Sequence, residues 1–104
     1  MERIVEQGLL YDFYGTLLTE HQRRIYEDVV LNDMSLSEIA EIAGISRQGV
    51  HDLIRRCDRA LEEYENKLHL MERFGRISKK LERIGQIAQQ EEIRRLADEI
   101  REEL

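Results

Sequence analysis

The chain has 104 residues, a formal net charge of −6, no proline and one cysteine. That length bounds it to one domain with at most an appended helical segment. Its composition, 41% hydrophobic without a Gly/Ser-rich stretch, excludes a disordered chain, and a lone Cys57 excludes an intramolecular disulfide.

Residues 3–18 carry Ile4, Val5, Leu9, Leu10, Tyr11, Phe13, Tyr14, Leu17 and Leu18 nearly all round a helical projection, so a helix here is expected to be largely buried or to meet a partner. Gly8 and Gly15 argue against its continuity. Thr19-Glu-His-Gln22 is a capping box that starts a second helix, with Ile25, Tyr26, Val29 and Val30 as its apolar stripe. Asn32-Asp33 is the expected stop.

Ser35 to Arg59 spell a helix-turn-helix. Ser35 and Glu38 make another capping box, and Ile39, Ala40 and Ala43 form one apolar face. Gly44 stands where a positive φ is needed to turn the chain, Ile45 is expected to plug that turn, and Ser46 caps the second helix. Val50, Leu53 and Ile54 then face back onto the first helix, leaving Arg47, Gln48, His51, Asp52 and Arg55 outward.

The helical pattern continues past that motif. Val50, Ile54, Cys57, Leu61, Tyr64, Leu68 and Met71 recur at spacings of four and three, a heptad seam. Asn66 is one place where the helix could stop in a left-handed cap. Phe74 and Gly75 interrupt the register, which resumes with Ile77, Leu81, Ile84 and Ala88, then with Ile93, Ala97, Ile100 and Leu104. Gly85 and the Gln-rich stretch 86–90 weaken the link between these pieces. The expected division is a helix-turn-helix domain over 1–65 and a helical extension over 66–104. The extension's seams must pack on that domain or on another chain, with a homodimer the simplest solution and an intrachain hairpin the alternative.

Charge distribution bears on what the motif would hold. Residues 1–18, 19–60 and 61–104 each contribute −2, yet Ser46–Arg59 holds four arginines against two aspartates. The local excess suits phosphate, whereas the overall acidity opposes tight unspecific binding to DNA. No apolar run is long enough to span a membrane, and the acidic first residues do not fit a secretory signal. The expectation is a cytoplasmic protein with no membrane insertion.

Leu18-Thr-Glu-His-Gln-Arg-Arg-Ile-Tyr-Glu27 followed by Ser35–Val50 resembles region four of bacterial sigma factors, which reads a promoter element with a helix-turn-helix. With Leu10-Tyr-Asp-Phe-Tyr-Gly15 before it and Arg55-Arg-Cys-Asp-Arg-Ala-Leu-Glu-Glu-Tyr64 after it, the pattern is closer still to the YlxM family. That resemblance spans about residues 8–74. It implies an all-α, sigma-region-four-like fold and a gene beside those of the signal recognition particle and its receptor, hence a role in that pathway. Two positions depart from the family pattern. Gly49 replaces a helix former in the recognition helix, and His69 stands where a small turn residue is expected, so that the helix would continue there.

The candidate nucleic-acid contacts are Ser46, Arg47, Gln48, His51 and Arg55. Arg47 and Gln48 lie in the first turn of the reading helix, where Arg pairs with guanine and Gln with adenine. His51 and Arg55 follow on the same face, within reach of base or phosphate. Asp52 beside them would repel phosphate, and a polar face reused for protein contact is the alternative. A second basic stripe, Arg73, Arg76, Lys80 and Arg83, with Lys79 alongside, would follow phosphates or simply form the wet side of a helix. His21, His51, His69 and Cys57 have no compact metal spacing, no nucleophile motif or phosphate loop occurs, and neither metal, cofactor nor enzymatic activity is expected. The expected partners are DNA, a second copy of the chain and components of the signal recognition particle.

Overall fold

Six α-helices and one 3-10 turn make up the computed structural model, which describes residues 3–104: α1 (Arg3–Tyr14), the 3-10 turn (Gly15–Leu17), α2 (Glu20–Val30), α3 (Leu36–Ala43), α4 (Arg47–Leu68), α5 (Leu70–Ile87) and α6 (Glu91–Glu103). The fold is all-α, and its helix starts follow local chemistry. Both capping boxes form: the Gln22 backbone N–H donates to Thr19 Oγ1 at 3.2 Å, and that of Glu38 to Ser35 Oγ at 3.1 Å. α2 stops before Asn32-Asp33, where Asp33 takes φ 51°.

The contacts divide the chain into two compact units, residues 1–68 and 69–104. The division falls three residues beyond the 65/66 boundary read from sequence, and its cause is local. α4 runs unbroken through Asn66, and it is His69 that adopts the left-handed conformation, at φ 56°. His69 was expected to carry the helix on; it ends it instead.

In the first unit α1, α2 and α3 all pack on α4. Val50, Cys57 and Leu61 are fully enclosed, together with Tyr14, Tyr26 and Ile39. Each such side chain contributes roughly 1.5–3 kcal/mol relative to an exposed one. The seam Val50–Ile54–Cys57–Leu61 is therefore the inner face of this unit, covered by its own chain, and not the seam of a coiled coil between chains. Tyr64 lies against the Tyr14 ring at 6.0 Å, while Leu68 stays half exposed. Spacing alone cannot separate these cases, because an intrachain groove and a partner helix both demand an apolar residue at every third or fourth position.

α1 runs through Gly8, and Gly15 opens the 3-10 turn for a packing reason. A Cβ there would lie 2.7 Å from the Tyr11 ring, so only glycine lets that ring lie across the turn. Tyr11 in turn stacks on Tyr26, with ring centroids 5.5 Å apart, and its hydroxyl donates to Glu27.

In the second unit α5 and α6 are joined by residues 88–90 and pack together as a helical hairpin, the intrachain alternative weighed above. The connection falls where the Gln-rich stretch placed it. Leu81, Ala88 and Ala97 are buried in the hairpin. Among the described residues no helix is long and apolar enough to cross a membrane.

Candidate nucleic-acid interface

The turn between α3 and α4 is built as its residues dictate. Gly44 has φ 70°, and its N–H and that of Ile45 both donate to the Ala40 carbonyl, at 2.9 and 3.2 Å. Ala40 and Ile39 are buried against α4, whose Val50, Leu53 and Ile54 face them. Ile45 does not plug the turn as expected. It remains 37% exposed, its side chain lying over the first turn of α4 beside Gly49, while Ile39 and Val50 are the enclosed residues of the two helices. Ser46 Oγ accepts the Gly49 N–H at 2.9 Å and caps α4. A Cβ on residue 49 would stand 3.1 Å from that oxygen, so the glycine eases the cap at the expense of helix propensity.

Ser46, Arg47, Gln48, His51 and Arg55 all lie exposed together at the start and along one side of α4. Gln48 Nε2 donates to Asp52 Oδ1 at 2.9 Å, and His51 Nδ1 lies 3.8 Å from the same oxygen. Asp52 is thus partly occupied by two neighbours on its own helix. Arg47 and Arg55 make no hydrogen bond or ion pair among the described residues.

The other aspartate of this helix has turned inward. Asp58 is buried, and its carboxylate accepts from Tyr26 Oη at 2.6 Å, from Gln7 Nε2 at 3.0 Å and from Arg3 Nη2 at 2.9 Å. It ties α1 and α2 to α4. Burial first, and then the hydrogen bond to Asp58, hold the Tyr26 phenol well above its usual range, so it stays a neutral donor. Burial and the Asp58 charge likewise push the neighbouring Cys57 thiol up to about 11, which leaves it a packed thiol rather than a nucleophile at neutral pH.

With Asp58 withdrawn, the outer surface of α4 from Ser46 to Arg59 presents four arginines against Asp52 alone. Arg55, Arg56 and Arg59 border an open groove of about 470 Å³ beside Asp52. His51 and Arg55 also face a cleft of about 480 Å³ whose far side is formed by Arg3 and Gln7 of α1, with Asp58 at its base.

A family model described as "Putative helix-turn-helix protein, YlxM / p13 like", UPF0122, matches residues 1–101. The chain belongs to the UPF0122 family. It is 55% identical over 76 residues to a UPF0122 protein of Caldanaerobacter subterraneus, covering 73% of this chain and 65% of that relative, so it spans just under two thirds of that protein's length. A UPF0122 protein of Symbiobacterium thermophilum is 41% identical over all 104 residues and 82% of its own length. One from Clostridium botulinum is 48% identical over 79 residues, 76% of this chain and 72% of the relative.

In this UPF0122 chain the second basic stripe lies on α5, in the other unit, and its members share one exposed side of that helix. Arg76 is paired with Glu72 at 2.9 Å, whereas Arg73, Lys80 and Arg83 make no ion pair among the described residues. Arg56 and Arg59 are not among the contacts expected from the sequence, and Asp58, counted there as a surface charge opposing the arginines, is instead an inward tie to Arg3. Asp58 did leave a signal: it follows Ile54 by four residues and precedes Leu61 by three, and so shares the edge of their buried face.

Proposed function

We propose that this helix-turn-helix protein binds duplex DNA through the outer face of α4 and acts as a regulator. The observation that carries the reading is the turning inward of Asp58, which leaves Arg47, Arg55, Arg56 and Arg59 as an unpaired cationic face beside Gln48 and His51. The first turn of α4 would enter the major groove, with Arg47 and Gln48 at base edges. Gln48 must then exchange its Asp52 partner for a base. Arg55, Arg56 and Arg59 would lie along phosphates. Engaging three or four phosphates gives an affinity that falls with salt with a log–log slope of about −3 to −4. Fluorescence anisotropy at low salt, with random duplex and with duplex taken from upstream of its own gene, tests this. Absence of binding to both at micromolar protein overturns it.

A second reading makes the protein an accessory factor for the signal recognition particle, touching its RNA or protein through Arg73, Arg76, Lys80 and Arg83, with the helix-turn-helix as scaffold. What favours it is the net acidity of the chain together with the exposed basic row on α5. Arg47→Ala with Gln48→Ala should abolish DNA binding under the first reading. Arg76→Glu with Lys80→Glu should abolish association with particle components under the second.

A further inference from the structure

The helical hairpin of α5 and α6 buries few of its own apolar side chains. Ile77, Ile84 and Ile87 on α5, and Ile93, Leu96, Ile100 and Leu104 on α6, remain between 40% and 59% exposed. Their spacing places them on one broad face. The opposite face is polar, a cleft there being lined by Ser78, Asp98, Arg101 and Glu102. An apolar face of this size rimmed by charge is the mark of a surface that another helix pair covers.

The rims say which pair. On α5, Arg73, Lys80 and Arg83 stand four residues before Ile77, Ile84 and Ile87, so a basic rail borders that helix's exposed aliphatics. On α6, Glu92 and Glu99 flank Leu96, and Glu103 follows Ile100 by three, forming an acidic rail. α5 holds five bases against two acids, and α6 three bases against six acids. None of Arg73, Lys80, Arg83, Glu92, Glu99 or Glu103 enters an ion pair among the described residues. The face is therefore apolar in its middle, positive along one edge and negative along the other. That pattern complements itself.

We infer that the hairpin face binds the same face of a second copy, α5 of each chain lying against α6 of the other in an antiparallel four-helix bundle. Only a two-fold axis parallel to the helices does this. A two-fold lying across the hairpin would set α5 on α5 and α6 on α6, with like rails opposed. α6 is about 20 Å long at 1.5 Å per residue, so the face is smaller than the roughly 800 Å² per partner of a standard interface, and the dimer forms in the micromolar range. The pairing does not depend on what α4 holds and needs no nucleic acid.

Sedimentation velocity on the full chain tests it. The wild type should pass from monomer to dimer across micromolar concentrations, and Ile84→Glu with Leu96→Glu should leave a monomer of unchanged helical circular dichroism. One rail-reversed chain carries Lys80→Glu and Arg83→Glu, the other Glu92→Lys and Glu99→Lys. Each alone should be monomeric, because the net charge of its reversed rail then has the sign of its other rail. Mixed in equal amounts they should form a heterodimer at least as tight as the wild-type dimer. A wild type that stays monomeric overturns the proposal. So do single rail variants that still dimerise, and folded variants whose mixture stays monomeric.

Discussion

Replacing Asp58 with Ala should unfold the first unit at markedly lower denaturant, and the structure sets the size of the loss. The Tyr26 hydroxyl, with its residue fully enclosed, would be left without its 2.6 Å acceptor. An unsatisfied buried donor costs about 1–3 kcal/mol. The Gln7 amide loses both of its 3.0 Å bonds to the carboxylate, worth about 1 kcal/mol more because it can turn to water. Arg3 adds little: its side chain is 76% exposed, and a pair so open to solvent contributes at most about 1 kcal/mol. The sum is about 2–5 kcal/mol. Tyr26→Phe, which leaves Asp58 with Gln7 and Arg3, should cost about 1.5–3 kcal/mol. The two losses should not add, since both remove the same bond. All four tyrosines lie within residues 1–68, so urea titration followed at the near-ultraviolet tyrosine band reports this unit alone. An Asp58→Ala chain within about 0.5 kcal/mol of wild type, or strictly additive losses in the double variant, would refute the assignment of Asp58 as the polar tie between the helices.

Gly15→Ala should destabilise the same unit by about 1–3 kcal/mol through the Tyr11 ring, whereas Gly8→Ala, which meets open space, should stabilise it by up to about 1 kcal/mol; equal melting temperatures for the two would contradict the packing argument. Because the Cys57 thiol is held at about 11 against a usual 9.0, the unfolded chain loses that proton first, and stability falls as pH rises through this window, by about 2–3 kcal/mol in all. Urea midpoints between pH 8 and 10 should therefore drop in the wild type and flatten in Cys57→Ala. If α4 reads DNA, Arg55→Ala with Arg59→Ala should weaken binding to every duplex alike and make the salt slope shallower by about 2, while Arg47→Ala should lower discrimination between sequences. A sequence-dependent loss from the Arg55/Arg59 pair would reverse those roles.

The helix-turn-helix was legible because its determinants act within a few residues. Ser35 with Glu38, Gly44 and Ser46 satisfy or turn the backbone next to them, so composition and spacing suffice to place α3 and the start of α4. The reading failed where one pattern serves two partners. The seam from Val50 to Leu61 looks the same whether α1 and α2 or a second chain cover it, and at His69 the bulky side chain masks a turn position whose left-handed conformation divides the units. The site was legible as a face but not as a charge balance. Arg47, Gln48, His51 and Arg55 follow from helical period alone, yet whether Asp52 and Asp58 both oppose phosphate depends on where distant side chains lie.

What the sequence by itself determined is the starts of α2, α3 and α4 with their caps at Thr19, Ser35 and Ser46, and the turn at Gly44, all of them products of interactions between near neighbours. Tertiary structure decided that Asp58 leaves the surface, because its partners Arg3, Gln7 and Tyr26 come from helices 32 to 55 residues away, and that a buried carboxylate is tolerable only where such donors converge. It decided too that α5 and α6 pair with each other and keep an apolar face outward, since two helices alone cannot enclose the apolar side chains that both present.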